Sequence, residues 1–172
     1  VSDKQRKFLR DDNLRAVLVV RVESPRIAAE WNNNMQAFVE GLGQGIPVNI
    51  SSDPRNETRA WAEYNAGSGG KISLWPSPLG LAATFDPELV EKFGRIASAE
   101  YRDLGIATAL SPQIDLATEP RWNRFYGTFG EDPDLDTDMA RAYIDELGKG
   151  RVFPAAIVTR IELDRPFYRS EE

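Results

Sequence analysis

Three helix starts of the same kind divide this chain and constrain what it can fold into. Ser24-Pro25, Asp86-Pro87 and Asp132-Pro133 each place a side chain that can cap a helix directly before a proline, and proline is favoured at the first helical position. Apolar residues at helical spacing follow each start, and short apolar runs typical of strands lie between the helices. Strands that alternate with helices pair in parallel through crossover connections. The pattern therefore predicts an α/β fold with a parallel sheet.

The predicted elements occupy most of the 172 residues. Strands are predicted near 16–21, 46–51, 106–114 and 155–162, and helices near 25–41, 87–104 and 133–147. A short charged segment precedes the first strand, and 51–75 is predicted to be a long loop rich in Gly, Asn and Ser. A chain of this length can bury one core, so 1–172 is interpreted as a single domain.

Two residue types are absent, and their absence excludes several kinds of site. Without Cys or His the chain has no disulfide, thiolate nucleophile, Ser-His-Asp triad or imidazole metal ligand. Acid–base chemistry would have to come from carboxylates, Lys or Tyr, and neither a metal nor a cofactor is predicted. The net charge of −6 argues against binding to nucleic acid. No apolar run approaches the roughly 20 residues of a membrane helix.

The segment after the third predicted strand has the side chains that a sugar-binding loop needs. It is longer than most connections and mixes acids, arginines and aromatic rings. Carboxylates and guanidinium groups make paired hydrogen bonds to adjacent hydroxyls, and rings cover the C–H faces of a sugar. The residues of this kind are Asp115, Glu119, Arg121, Trp122, Arg124, Phe125, Tyr126 and Phe129.

Three motifs, in this order and spacing, resemble those of the N-terminal catalytic barrel of glycoside hydrolase family 3, the β-glucosidase family. The strongest is D-x-x-x-x-P-R-W-G-R followed by T-F-G-E-D-P, matched here by Asp115, by 120–124 and by 128–133. Segments 45–53 and 75–86 also fit, so that the resemblance covers about residues 13–146. Asn123 stands where the family usually has Gly, an exchange that a left-handed backbone would accommodate.

The resemblance implies a fold and an activity. A complete (β/α)₈ barrel typically needs about 250 residues, so the chain has room for about half of a TIM-type barrel with parallel strands. Its tail, 147–172, departs from the family pattern. The implied activity is hydrolysis of O-glycosidic bonds in a β-glucoside or related sugar, by a retaining mechanism.

The resemblance also implies which residues bind the sugar. At Asp53 the family has an aspartate that binds sugar hydroxyls at the cleavage subsite, and the second arginine of its motif, here Arg124, points into the sugar pocket. Without the resemblance, Asp53 would be interpreted as a turn residue before proline and Arg124 as an arginine that braces the loop. Because the βα loops of a barrel emerge on one side, we expect Asp53 and Arg124 to converge at the carboxyl ends of the second and third strands. Many members have a His near the position of Asn56.

Four further residues are secondary candidates. Arg121 and Trp122 are expected to brace the loop through ion pairing and packing. Asp115, like Glu119, is interpreted as a residue of loop structure, with a role in the site left open. Glu131 is expected to accept hydrogen bonds from loop groups, for instance from an arginine of its own motif.

No catalytic residue is assigned within this chain. Glu131 and Asp132 look like a catalytic carboxylate pair, but Asp132 before a proline is better explained as a helix cap. Retaining glycosidases need a nucleophile and an acid–base residue, and the family has both on later segments, along with a Lys-His pair that a chain without His cannot supply. Two interpretations stay open. The chain is the sugar-binding half of a β-glucosidase-type domain and inactive alone, or it is a truncated non-catalytic α/β module or inactive remnant.

A half-barrel has consequences for association and location. Open edge strands and an uncovered apolar face favour a homodimer or soluble aggregates over a monomer. The sequence leaves the location undecided; the resemblance implies a soluble protein, with the periplasm or secretion as the expectation for full-length members.

Overall fold

The computed structural model describes residues 1–58 and 70–157, and a parallel sheet lies at its centre. Four strands pair in chain order: β1 (Ala16–Val19), β2 (Asn49–Ser52), β3 (Thr108–Ala109) and β4 (Phe153–Pro154). The main connecting helices are α2 (Pro25–Glu40), α4 (Pro87–Leu104) and α5 (Pro133–Lys149). The predicted parallel α/β fold is confirmed.

The three predicted helix starts have the expected caps. In each, the side-chain oxygen of the residue before the proline accepts a hydrogen bond from the backbone N–H three residues after that capping residue. The capping residues are Ser24, Asp86 and Asp132, and the distances are 3.2, 3.2 and 2.8 Å. α4 ends at Gly105, whose φ of 80° lies in the left-handed region that glycine adopts without steric cost. Local sequence alone therefore determines where these helices begin.

Two short helices lie where the sequence analysis predicted none. Helix α1 (Asp3–Arg10) occupies the charged N-terminal segment, and Ser2 and Gln5 form a capping box at its start. Helix α3 (Pro78–Ala82) follows Ser77, which caps it through the N–H of Gly80. None of the helices within 1–58 and 70–157 has both the length and the apolar character needed to cross a bilayer.

The strands are shorter than predicted, and β3 differs most. A continuous strand was predicted for 106–114, but pairing is limited to Thr108–Ala109. The chain then reaches Pro112, which has no N–H for a sheet hydrogen bond, and pairs again only as a bridge between Gln113 and Ile157. β4 was predicted at 155–162 but occupies Phe153–Pro154, and 158–162 lie outside the described residues. β1 ends two residues before the predicted 21, and β2 begins three residues after the predicted 46.

The core lies between the helices and one face of the sheet. α4 and α5 approach closely at Gly94, where an added Cβ would come within 3.0 Å of Glu146 Cβ and 3.2 Å of Tyr143 Cδ2. The absence of a side chain at residue 94 thus allows the two helices to pack. The buried apolar residues of this core include Met35, Val39, Ile50, Val90, Ala97, Tyr101, Leu104, Met139 and Leu147.

The other face of the sheet is less completely covered. The register places Leu18, Ser51, Thr108 and Phe153 in one row across the four strands. Leu18 and Phe153, at the ends of the row, are 45% and 68% exposed, whereas Thr108 is 8% exposed. In a closed barrel this face is a packed interior. The described chain therefore forms an arc whose inner face is open at both edges.

Candidate functional site

A small cavity lies at the carboxyl ends of β2 and β3. Its walls come from the segments after these two strands, the turn before α3, and helices α4 and α5. Its volume of about 70 Å³ is small beside the roughly 300–1,000 Å³ of a typical small-molecule site. The lining residues with polar side chains are Asp53, Asn56, Glu57, Ser111, Gln113, Arg124, Tyr126 and Tyr143.

Asp53 enters the cavity directly after the last residue of β2. Its backbone carbonyl accepts hydrogen bonds from Tyr101 Oη (3.0 Å) and Ser52 Oγ (2.9 Å), which fix the direction in which its side chain leaves the chain. The carboxylate is 26% exposed, and its Oδ2 lies 3.8 Å from Arg55 Nη2. That distance is too long for a hydrogen bond, so the interaction is electrostatic and leaves the oxygen able to accept a bond from a ligand.

Arg55 is a fully buried arginine that the sequence interpretation missed. Its Nε donates to Ser52 Oγ (2.8 Å), its Nη2 donates to the carbonyl of Val19 (2.6 Å), and its backbone N–H donates to Tyr101 Oη (2.8 Å). Burial lowers the pKa of the guanidinium, and the neighbouring Tyr101 and Asp53 raise it in opposition. Arg55 therefore ties the carboxyl ends of β1 and β2 together and keeps a positive charge behind Asp53.

Asn56 is part of a buried hydrogen-bond network. Its amide donates to Glu100 Oε2 (2.6 Å) and to the carbonyl of Ser73 (3.2 Å). Glu100 Oε1 also accepts the backbone N–H of Ser73 (2.7 Å), and Trp75 Nε1 donates to Ser73 Oγ (3.0 Å). The amide of Asn56 thus holds the loop to α4.

Arg124 reaches the same cavity from the loop after β3. A short 3₁₀ turn, Phe125–Gly127, follows it and is closed by a bond from the N–H of Gly127 to the carbonyl of Arg124 (3.0 Å). The side chain is exposed, and within the described ranges its guanidinium has no ion pair. The structure thus brings Asp53 and Arg124 to one cavity, while their role as sugar ligands stays a prediction.

Three of the secondary candidates lie on the loop outside the cavity lining. Arg121 makes an exposed two-point ion pair with Glu119, at 2.8 and 2.7 Å, which lowers the pKa of Glu119 to about 2. Trp122 is half-buried, and Glu131 is exposed and is not the partner of Arg121. Asn123 has no positive φ, so the left-handed backbone that would explain an exchange of Gly for Asn is not present. The ion pair expected for Arg121 is therefore made within its own turn.

Asp115, the fourth secondary candidate, belongs to a buried pair of acids beneath the loop. Asp115 and Asp136 are 3% and 6% exposed, and neither lines the cavity. Burial and the negative charge of Asp115 raise the pKa of Asp136 to about 6, and a hydrogen bond from the backbone N–H of Phe129 opposes that shift. The position of Asp115 fits the interpretation as a residue of loop structure.

Two lining residues, Glu57 and Gln113, were not singled out from the sequence. Each is 8% exposed, and Glu57 Oε2 and Gln113 Nε2 are buried without a hydrogen bond in the described part of the chain. Burial raises the pKa of Glu57 to about 7. Burial, and to a lesser extent the charge of Glu57, raise the pKa of Tyr126. The same two causes raise the pKa of Tyr143 to about 12, against the effect of its hydrogen bond with Ser111. The available signal was a second acid, four residues after Asp53, in the same βα loop.

Comparison with known proteins gives the family. A model of the glycosyl hydrolase family 3 N-terminal domain matches residues 1–156. The chain belongs to glycoside hydrolase family 3. It is 50% identical over 129 residues to a periplasmic beta-glucosidase/beta-xylosidase of Dickeya chrysanthemi, covering 75% of this chain and 20% of that enzyme. It is 43% identical over 135 residues to beta-glucosidase C of Emericella nidulans, covering 76% of this chain and 21% of that enzyme. The family match extends beyond the 13–146 over which motifs were recognised.

A solved structure of this family shares the fold. A family 3 glycosyl hydrolase of Mycobacterium smegmatis superimposes with a TM-score of 0.70 and 18% identity, covering 91% of this chain and 44% of that one. The predicted half-barrel is confirmed by this likeness and by the parallel sheet. This family 3 chain spans about a fifth of the length of the Dickeya and Emericella enzymes.

Proposed function

We propose that this chain is the sugar-binding half of a catalytic barrel of the β-glucosidase or β-xylosidase type. The observation that carries the proposal is that Asp53 and Arg124 line one cavity at the carboxyl ends of β2 and β3. Barrel enzymes assemble their sites at this end because the βα loops meet there. The names of the Dickeya and Emericella relatives supply the substrate class, a β-glucoside or β-xyloside.

Asp53 and Arg124 have complementary chemistry toward a sugar. A carboxylate accepts hydrogen bonds from two adjacent hydroxyls, and a guanidinium donates to hydroxyl oxygens in a fixed plane. The buried charge of Arg55 lies 3.8 Å from Asp53 Oδ2, too far for a hydrogen bond, so Arg55 does not occupy that oxygen as an acceptor. Asp53 is therefore an acceptor in a preformed position, and Arg124 is a donor at the rim.

Hydrolysis with retention needs two groups that we do not assign to this chain. One carboxylate attacks the anomeric carbon, and a second group protonates the leaving oxygen. The family resemblance implies that both come from later segments of a longer protein. We therefore propose that the chain alone binds the sugar and does not cleave the glycoside.

Turnover of an aryl β-glucoside by the purified chain tests the second half of this proposal. We expect a rate no higher than that of an Asp53→Ala variant prepared in parallel, which controls for contaminating enzyme. A rate well above background that disappears in the variant would mean that the catalytic carboxylates lie within this chain.

Ligand-observed NMR with methyl β-D-glucopyranoside tests the first half. We expect saturable but weak binding, because the cavity encloses little of a sugar, and we expect it to be lost in Asp53→Ala. Asp138→Ala, which removes an exposed aspartate on α5, is the matched control and should bind as the unaltered chain does. Absence of saturable binding by the unaltered chain would contradict the proposal.

The open inner face leads to a proposal about association. Leu18 and Phe153 are exposed at the two edges of the row, and a second copy can cover both, so we propose a homodimer. Light scattering at tens of micromolar should give the mass of a dimer, and a monomeric mass would contradict it. The periplasmic relative from Dickeya supports a periplasmic location for the protein that carries this chain, which cell fractionation tests.

A further inference from the structure

We propose that Glu57 and Gln113 together bind one hydroxyl group of the sugar, distinct from the hydroxyls that Asp53 and Arg124 hold. The inference rests on the proposed function, because it adds two ligands to the same cavity. It assigns a role to Glu57 and Gln113, two buried lining residues for which the resemblance implies none.

The first support is that both side chains are enclosed and incompletely bonded. Glu57 and Gln113 are each more than nine-tenths buried, and Glu57 Oε2 and Gln113 Nε2 have no hydrogen-bond partner within 1–58 and 70–157. A buried polar atom without a partner destabilises the fold, and such an atom in a cavity wall calls for a partner that a ligand can supply. Both residues line the cavity, and because the terminal torsions of Glu and Gln are broad, we expect a rotation to present either polar atom to a ligand there.

The second support is that the two unpaired atoms have opposite hydrogen-bonding character. A carboxylate oxygen accepts and an amide nitrogen donates. Two donors would fit a carboxylate or phosphate, and two acceptors would fit an ammonium group. One acceptor and one donor in the lining of the same small cavity fit a hydroxyl, which donates its proton and accepts on its oxygen.

The third support is that Gln113 contacts the loop that carries Arg124. A Cβ on Gly127, in the 3₁₀ turn after Arg124, would lie 3.1 Å from Gln113 Oε1. The turn therefore packs against the oxygen side of the amide and leaves its nitrogen as the end that is available to a ligand. The hydroxyl bound by Gln113 would belong to the same sugar as the groups that Arg124 binds.

The charges around Glu57 give this pair a pH dependence. The other titratable groups of the lining are Asp53, Arg124, Tyr126 and Tyr143, and both tyrosines have raised pKa values and stay neutral near pH 7. Burial raises the pKa of Glu57 to about 7. A hydroxyl that donates to the Glu57 carboxylate favours the ionised form, so sugar affinity should increase from pH 6 to pH 8.

A donor–acceptor exchange on the full 172-residue chain tests the inference, with affinity for methyl β-D-glucopyranoside measured by NMR titration. Gln113→Glu replaces the donor by a second acceptor, and we expect roughly tenfold weaker binding or more. Adding Glu57→Gln restores one donor and one acceptor in exchanged positions and should recover most of the affinity. Glu40→Gln, at an exposed glutamate that ends α2, is the matched control and should change nothing.

Monodeoxy analogues of the glucoside identify the hydroxyl. The analogue that lacks the bound hydroxyl should bind equally well to the unaltered chain and to Gln113→Glu, whereas the others should distinguish them. If Gln113→Glu does not fold, as judged by circular dichroism, Gln113→Leu removes the donor without adding a charge and takes its place.

The outcomes separate this inference from the proposed function. If Asp53→Ala abolishes binding but Gln113→Glu and Glu57→Gln do not weaken it, the inference is overturned and the proposed function stands. If the exchanged double variant binds no better than Gln113→Glu, or if affinity falls as pH rises from 6 to 8, the hydroxyl assignment is overturned. If the unaltered chain binds no glucoside, both are overturned.

Discussion

The two loops that form the cavity are held in place in different ways. In the β2 loop, residues 53–57, Arg55 is fully buried, and Asn56 is 2% exposed. Their side chains bond to β1, β2, α4 and Ser73. In the β3 loop, residues 110–132, the arginines at 121 and 124 are exposed, and Arg121 pairs locally with Glu119 in the same turn. The β2 loop is therefore held in position by bonds to the core, and the tip of the β3 loop is held by bonds within the loop.

This difference gives a physical basis for the proposal that half of a barrel holds part of a sugar site. Bonds to the core place Asp53 before any ligand arrives, so its geometry does not require the remainder of a barrel. Arg124 is positioned by a three-residue turn, and its long side chain keeps its rotamer freedom until a ligand or a neighbouring segment orders it. We expect the β2 loop to hold Asp53 in a fixed position, and the β3 loop to supply a donor, Arg124, whose side chain adjusts to the ligand.

The largest expected difference between the loops concerns stability. Arg55→Met leaves buried acceptors at Val19 and Ser52 without their donor, and we expect it to lower the free energy of unfolding by about 3 kcal/mol. Arg121→Met removes an exposed pair and should change it by less than about 0.5 kcal/mol. Urea unfolding followed by circular dichroism measures both. Equal effects of the two variants would show that the loops do not differ in their dependence on the core.

The next effect is opposite pH dependence of stability at the two loops. The folded pKa of Glu57 is raised from 4.5 to about 7, so the folded state holds the proton longer and stability decreases as pH rises from 4.5 to 7, by about 3 kcal/mol. The folded pKa of Glu119 is lowered to about 2, so its contribution is present above pH 4.5 and is lost as pH falls toward 2.

Matched variants measure the two contributions separately. Glu57→Gln should flatten the decrease between pH 4.5 and 7 in urea midpoints, leaving the part due to Asp136, whose pKa is raised to about 6. Glu119→Gln should leave that window unchanged and reduce only the loss at lower pH. A Glu57→Gln chain with an unchanged slope would mean that Glu57 is solvated in the folded state.

A smaller effect separates two buried tyrosines. Tyr101→Phe removes a donor to Asp53 and an acceptor for the Arg55 N–H, and we expect a cost of about 1–2 kcal/mol together with weaker sugar binding. Tyr143→Phe removes one hydroxyl contact, to Ser111 at 3.2 Å, and should cost less. A larger loss of stability in Tyr143→Phe than in Tyr101→Phe would reverse the comparison.

The sequence predicted those parts of the fold that local chemistry determines. The three caps before proline located α2, α4 and α5 to within two residues at each end, because a side-chain acceptor and a fixed φ act over one helical turn. The same signal at Ser77-Pro78 and the capping box at Ser2 were present but were not used. The extent of β3 could not be predicted, because an apolar run does not reveal where its neighbours stop pairing.

The site was predictable only in part. Asp53 and Arg124 could be named because they occupy motif positions, and their approach to one cavity follows from strand order. Arg55, Glu57 and Gln113 could not, since their importance comes from burial by segments far away in the chain, such as Tyr101 and Tyr143. A charged residue looks alike in sequence whether it is exposed, as Arg121 is, or enclosed, as Arg55 is.

A residue-resolved NMR titration with methyl β-D-glucopyranoside tests most directly whether the two loops hold one sugar. We predict that backbone amide signals of Glu57 in the β2 loop and of Tyr126 in the β3 loop shift with the same dissociation constant, and that both responses disappear in Asp53→Ala. Signals that shift in one loop alone, or with two different dissociation constants, would contradict a single site shared by Asp53 and Arg124.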